Sequence, residues 1–438
     1  MARQTALFLC ALLALPGIAD ATPLQLRRGI SIHEWLNWSP LRKQSGGGNP
    51  TASGSGESPS TPYAWPPYSR NPSPISAKDL QNIRNQGFDF VRLSVDPGPM
   101  LSVSGPKRAE ALNVLGDAVK LVLSSGLKVV FDYHPVGQVP AYSLTALNVG
   151  ANEPVSVAYR QMVAETASFL ARLVPNAAER IAIDLFNEPQ FYPCDGSGGR
   201  NWNGVLSALV KAARTAAPDL TLIVSGACGG NVKGLVNLDA RQLADANLLY
   251  SFHYYEPLTF SHQGSDARKW LTGVPWPPTV RSLEQSIALS MGKLEAQPKL
   301  SPSARLAAES EIRNQLQKYY AEDKGQQTIE AAFATLLGWC RTNGIRPEQL
   351  FMGEFGAMAA TSFRGGAVEA DRLRWLSAVR QQAEKHGIGW AYWEYSNIHG
   401  MSLTTPGARR EFDPVALQAL GLSEVKHTTH GQMQPSAQ

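Results

Sequence analysis

Residues 181–189 read IAIDLFNEP. The run begins apolar, as a strand buried on both faces must, and ends in Asn187-Glu188 before Pro189. Seven other stretches share this design: GISIHEW (29–35), FDFVRLSV (88–95), LKVVFDYH (127–134), LTLIVSG (220–226), LLYSFHYYE (248–256), LFMGEFG (350–356) and IGWAYWEY (388–395). Between them lie amphipathic segments such as Ala77–Gln86, Ala109–Ser124, Val157–Leu173, Gly204–Ala216 and Val368–Lys385. Strands alternating with helices predict a parallel sheet. Eight such units predict an α/β fold, a single (β/α)8 TIM barrel.

Two insertions stretch the spacing. Residues 44–74 are rich in Gly, Ser and Pro and read as an irregular loop after the first strand. Residues 257–349 follow the sixth strand and read as a loop and two or three helical segments, without a second core. The barrel is expected to span 22–421, and 422–438 to form a polar, disordered tail.

Composition fits a large buried core, with 43% apolar and 17% charged residues. The net charge of +4 is scattered, with no Lys/Arg run to track a phosphate backbone, so nucleic acid is not the expected partner. Residues 1–21, MARQTALFLCALLALPGIADA, carry Arg3, an apolar run from Ala6 to Leu15, and Ala19-Asp20-Ala21. This is the pattern of an export signal cleaved after Ala21. Its apolar run is about half of what a bilayer-spanning helix needs, so no membrane attachment is expected after cleavage. The destination is the periplasm or the medium. Of the cysteines beyond the signal, Cys194, Cys228 and Cys340, none has a C-x-x-C neighbour, so no zinc site is predicted. Cys340, in AAFATLLGWC, reads as a buried core thiol.

The chemistry is carried by the polar ends of the strands. Arg92, His134, Asn187, Glu188, His253, Tyr255, Glu354 and Trp393 all occupy such positions, where a barrel gathers its catalytic groups at one rim. Each alone has an ordinary structural reading, as a capping Asn, a satisfied core His or a Trp wedged under a loop. Eight matching positions are a constellation. Glu188 and Glu354 stand out because a glycosidic bond is broken by two carboxyl groups, one protonating the leaving oxygen and one attacking the anomeric carbon. Their proton affinities must differ: a nearby Arg, for which Arg92 is the candidate, would hold one ionised, and burial without a cation would keep the other protonated. The chemistry does not say which is which.

The pieces VRLS, DYH, FNEP, HYY, GEFG and AYWEY, in this order, resemble glycoside hydrolase family 5 along essentially the whole chain after the signal. The resemblance implies a retaining glycosidase with no cofactor and no metal, acting on a polysaccharide or oligosaccharide, and the chain is expected to be a monomer. It makes Glu188 the acid/base and Glu354 the nucleophile. Asn187 would then bond the 2-hydroxyl, Arg92 and Tyr255 would keep Glu354 anionic, and His253 would sit beside Glu188. His134 would line the subsite of the attacked sugar and Trp393 would floor it. The first strand departs from the family pattern: in GISIHEWLNW, His33, Glu34 and Trp35 read either as contacts to a neighbouring sugar or as packing.

Trp38, Trp65, Tyr68, Trp202, Trp270 and Trp276 fall in predicted rim loops and read either as sugar platforms or as loop anchors. Cys194 and Cys228 follow strands four and five, which are barrel neighbours, so a disulfide between them is expected. His33-Glu34 is not H-E-x-x-H, and Ser225-Gly226-Ala227-Cys228-Gly229 lacks the order of a nucleophile elbow. The expected activity is endo-β-1,4-glucanase. A mannanase or an exo- or endo-β-1,3-glucanase is the rival within the fold, and a non-catalytic carbohydrate-binding barrel is the rival outside it. An exo-acting glucosidase is favoured only if the loops 44–74 and 257–281 wall off one end of the groove. A metal-dependent barrel hydrolase lacks the Asp/His cluster it would need.

Overall fold

The computed structural model describes residues 22–42, 61–68, 74–195, 197, 201–243, 245–297, 299–361, 364–397, 400–405 and 409–422. The expected signal, most of the loop 44–74 and all but the first residue of the tail lie outside them. Strands β1 (Arg28–Leu36), β2 (Phe90–Val95), β3 (Lys128–Tyr133), β4 (Ile181–Asp184), β5 (Thr221–Ser225), β6 (Leu248–Tyr254), β7 (Leu350–Phe355) and β8 (Gly389–Tyr392) close a barrel in chain order. Neighbours pair in parallel all the way round, with β8 returning to β1. The protein is a (β/α)8 barrel.

A helix follows each strand: Ala77–Asn85, Gly105–Ser124, Pro154–Ala171, Trp202–Ala216, Val232–Val236, Gln326–Asn343, Glu369–Lys385 and Pro414–Ala419. The local sequence fixes their starts. Ser76 and Asp79 form a reciprocal capping box at the first, and Asn201 accepts the N–H of Gly204 at the fourth. Within the insertion after β6, helices Leu283–Glu295 and Pro302–Glu322 start at Ser282 and at Ser301-Pro302. Contrary to the sequence reading, this insertion has an apolar cluster of its own, built from Leu271, Val274, Leu294, Ala308, Ile312, Leu316 and Tyr319. The two helices bury a face against each other, and the residues before them (Leu271, Val274) complete the patch.

Strand alternation sorts the barrel into two populations. Val91, Leu93, Val129, Phe131, Ile183, Leu222, Phe252 and Met352 point outward into the main core beneath the helices. Facing inward near the N-terminal end are Phe90, Val130, Ala182, Ile223, Leu249, Phe351 and Ala391, capped by Leu24 and Leu26 from the segment before β1. Two residues further along the same strands the inward positions are Arg92, Asp132, Asp184, Ser225 and Ser251. The interior thus changes from apolar to charged within one layer.

Candidate active site

Strict alternation would point Glu354 outward, since Phe351 faces in. The register between β6 and β7 slips at this point: Phe252 pairs with Met352, whereas His253 pairs with Glu354. Gly353 is the extra residue, and the bulge turns the next side chain back toward the axis. A larger residue there would crowd the site, because a Cβ would lie 2.7 Å from Ser251 Oγ and 3.1 Å from His253 Nε2. On the other side, Glu188 follows the end of β4 with a positive φ of 48°.

The two carboxyl groups face each other. One oxygen of each, together with a His253 nitrogen, falls within a set whose members all lie within 4.8 Å of one another. Their surroundings differ. The Glu354 side chain is buried, and its two oxygens are held separately: Arg92 Nη1 donates to Oε1 at 2.7 Å, and the Tyr255 hydroxyl donates to Oε2 at 2.8 Å. Burial and the Glu354 charge hold the Tyr255 phenol far above its ordinary range, so it remains a donor. Glu188 is 34% exposed, at the mouth of the site, with His253 Nδ1 2.9 Å from its Oε1; the same nitrogen lies 3.4 Å from Glu354 Oε2.

The sequence reading foresaw one carboxyl kept protonated by burial without a cation, and the structure corrects that picture. Desolvation pushes the Glu188 carboxyl up, but the His253 hydrogen bond and the charges of His253, His134 and Arg92 outweigh it, and the net direction is downward. Glu188 and His253 are thus coupled through one short hydrogen bond.

Arg92 is fully buried and anchors more than Glu354. Its Nη2 lies 3.0 Å from Asp132 and 3.2 Å from Asp184, and donates to Asn187 Oδ1 at 2.8 Å. With that oxygen engaged, the Asn187 amide nitrogen sits 3.3 Å from His134 Nε2. Asp132 in turn lies 3.0 Å from His134 Nδ1. Burial raises the Asp132 carboxyl, but Arg92 and His134 overcome it and hold it below its ordinary range. Asp184 has less help: burial first, then the Asp132 charge, push it up to about 7.

Beside this network, His134 and Trp393 stack at 5.3 Å and 15° between planes, and His33 meets both rings at 4.7 and 4.9 Å. His33 therefore joins the pocket wall, whereas Trp35 packs against the main apolar cluster. Three acids went unnoticed in the sequence reading. Asp132 and Asp184 interrupt otherwise apolar buried strands, which was the available signal. Glu394 adjoins Trp393, accepts from the Asn397 amide, and is pushed well up by burial and then by the charges of Glu34 and Glu354.

The rim aromatics divide. Trp202, Trp276 and Tyr68 are buried anchors, with the Trp202 indole donating to Ser225 O and the Tyr68 hydroxyl to Asp96 O. Trp270 packs on the insertion's cluster and the Trp65 indole donates to Glu110. Trp38 alone of the six is strongly exposed, at 46%. The expected disulfide joins Cys194 to Cys228, and Cys340 is a buried free thiol. Among the described residues, Glu188, His253 and Glu354 form the one group with the proximity to hold a metal ion. Arg92 and Tyr255 already engage both oxygens of Glu354 there.

A pair of facing carboxyl groups at the C-terminal rim of a (β/α)8 barrel, one clamped by Arg and Tyr and one open to solvent beside a His, defines a glycoside hydrolase site. The family model for cellulase, glycosyl hydrolase family 5, matches residues 49–398, and the chain belongs to that family. It is 23% identical over 320 residues to cellodextrinase A of Ruminococcus flavefaciens, covering 72% of this chain and 76% of that one. It is likewise 23% identical over 334 residues to endoglucanase C of Acetivibrio thermocellus, covering 74% and 84%. Among solved structures, an endoglucanase from Thermotoga maritima superposes with a TM-score of 0.58 at 19% identity, covering 90% of this chain and 96% of that one.

Proposed function

We propose that the protein is an exported, retaining endo-glucanase acting on β-1,4-linked glucan. The observation that carries this reading is the unlike clamping of two carboxyl groups within 4.8 Å of each other. Retaining enzymes place their carboxyl groups about 5–5.5 Å apart, and inverting ones leave room for a water between them. Glu354, held at one oxygen by Arg92 and at the other by Tyr255, attacks the anomeric carbon while Glu188, with His253 at its Oε1, delivers a proton to the departing oxygen. Esterification removes the Glu354 charge. Glu188 then accepts a proton from the water that attacks the same carbon and frees Glu354. Asn187, pinned through its oxygen by Arg92, presents its amide nitrogen toward the sugar's 2-hydroxyl. Trp393, His134 and His33 form the floor and wall beneath that sugar.

A glucan is favoured because the curated relatives include a cellodextrinase and endoglucanases. A mannan is the second reading, since solved complexes of the Thermotoga maritima endoglucanase contain cellobiose in one case and mannotriose in another. Incubation with defined gluco- and manno-oligosaccharides, with products mapped by size and anomer, decides between them. Retention of the β-anomer and internal cleavage are expected; an α-anomeric first product would remove the double displacement. A mechanism-based fluorosugar should label Glu354, and label on any other residue would overturn its role. Export is read from residues 1–21, and an N-terminus at Thr22 in the secreted protein is the expected result. No helix among the described residues is long and apolar enough to cross a membrane.

A further inference from the structure

Glu188 leaves β4 and His253 belongs to β6, so the strand between them, β5, decides how the two meet. The chain leaving β5 carries three consecutive residues of positive φ, Cys228 (56°), Gly229 (71°) and Gly230 (66°). Gly230 O accepts the His253 N–H at 2.8 Å, and a Cβ on Gly230 would lie 3.7 Å from Glu188 Cα. The Gly229 N–H donates to Pro189 O at 2.9 Å, and the Cys228 N–H to Phe191 O at 3.3 Å. Residues 228–230 are thus a backbone splint that touches both members of the acid pair. Its inner end is wedged where Gly226 meets Gly234, since a Cβ on Gly226 would lie 2.2 Å from the Gly234 carbonyl carbon. Its outer end is fastened by the Cys194–Cys228 disulfide to the loop that begins at Glu188.

We propose that this disulfide is a positioning device for the acid/base pair: it presses the splint onto Pro189–Phe191 and so holds Glu188 in register with His253. The inference rests on the glycosidase reading above and adds a residue pair to it. Cys194 and Cys228 touch no reacting atom; they act through Glu188. A disulfide that served stability alone would, when opened, affect every substrate alike. One that sets the proton donor would affect only reactions that need the proton.

Dithiothreitol supplies the opening step. Its two thiols give two electrons and two protons to the Cys194–Cys228 bond, leaving two protein thiols and the cyclic reagent disulfide. Cys194, the partly exposed partner, is the point of attack, and Cys340 is already a thiol. The reduced wild type, and separately the double variant Cys194→Ser with Cys228→Ser, would be compared with the oxidised protein on two substrates. One is cellotetraose, whose leaving alkoxide must be protonated. The other is dinitrophenyl β-cellobioside, whose phenolate leaves without a proton. The corresponding mannosides replace both if the wild type prefers them.

The quantity read is kcat/KM, which reports glycosylation alone. It is expected to fall about tenfold or more on the oligosaccharide, a part of the roughly 10²–10⁴-fold a positioned acid supplies. On the aryl glycoside it should stay within about twofold, which also shows that the fold and Glu354 are intact. Reoxidation of the wild type should restore the oligosaccharide rate. Equal losses on both substrates, or no loss on either, would overturn the proposal. A wild type inert toward both substrates would overturn the glycosidase reading and this one with it.

Discussion

At one end of the barrel Phe90, Val130, Ala182, Ile223, Leu249, Phe351 and Ala391 fill the interior, closed over by Leu24 and Leu26. At the other end, two positions along the same strands, the same inward direction is taken by Arg92, Asp132 and Asp184, with Glu354, His134 and His253 above them. The first layer contributes by burial alone, at roughly 25 cal/mol per Å² of apolar surface removed from water. The second buries charges, each of which is costly without a partner, so its members must satisfy one another. The difference teaches where selection for stability ends and where chemistry begins: between residues i and i+2 of one strand. It also explains why Arg92 needs three acids. A buried guanidinium shared by Asp132, Asp184 and Glu354 is fixed in place and fixes Glu354, the proposed nucleophile, with it.

The sharpest break of the comparison is at Glu354. Glu354→Ala should lower kcat by about 10⁵-fold or more, the scale on which removing a covalent nucleophile acts, while the melting temperature stays near that of the wild type. Azide should partly restore turnover and give an α-glycosyl azide. A residual rate within tenfold of the wild type would mean that the carboxyl does not attack.

Next come Phe90→Ala and Arg92→Met, neighbours on one strand facing one way. Both should cost stability, about 3–5 kcal/mol for the emptied aromatic site. Arg92→Met also leaves Asp132 and Asp184 without their cation, a loss of similar size. Only the second should depress kcat/KM, by about 10²–10³-fold, the effect of removing one preorganised electrostatic contact. Urea titration and steady-state kinetics on the folded fraction separate the two. If Phe90→Ala proved as damaging to kcat/KM as Arg92→Met, the division between layers would be false.

Much of this division was legible in the chain. The apolar beginnings and polar ends of strands such as IAIDLFNE and LKVVFDYH gave the barrel, its direction and the rim residues, because buried parallel strands and site residues leave a one-dimensional trace. What escaped depends on partners distant in sequence. Asp132 and Asp184 make sense only once Arg92, which lies 40 and 92 positions away from them, is seen between them. The bulge at Gly353 is a matter of register between β6 and β7, which no single strand reveals. The rim tryptophans fail for the same reason: composition cannot separate Trp38, which faces solvent, from Trp202, which closes on Ser225 O. The apolar cluster of the insertion after β6 is assembled from three segments, each too weakly patterned to announce it.

The polar end should also be the source of the protein's pH response, because the inward layer at the other end has nothing to titrate. Asp96, just past β2, is the cleanest case: burial first, relieved in part by the Gly98 N–H and Tyr63, raises its carboxyl to about 7 from an ordinary 3.8. A raised carboxyl stabilises the fold fully below 3.8 and loses that contribution as pH climbs through about 7. Asp184, also pushed up to about 7, acts in the same direction. Melting temperature should therefore decline between pH 5 and pH 8. Asp96→Asn should flatten part of that decline and raise stability at pH 8 relative to the wild type. A slope unchanged by the substitution would place the titration elsewhere.

The smallest effect tests the rim itself. Trp38 meets His33 edge-on at 6.1 Å, and His33 stands against His134 and Trp393, so its exposed face continues the pocket wall outward. Aromatic pairs are worth about 0.5–1.5 kcal/mol beyond the area they bury, and a sugar face on Trp38 taken on the same scale gives roughly 2–12-fold in binding. Trp38→Ala should raise KM for long oligosaccharides by that factor. It should barely alter kcat, the KM of a disaccharide glycoside or the melting temperature. Trp202→Ala is the control from the buried class. It should lower the melting temperature markedly, since it opens a cavity and strands Ser225 O, and its chain-length dependence should match the wild type. A Trp38→Ala enzyme that lost stability but kept its KM series would move Trp38 from the sugar-binding wall to the scaffold.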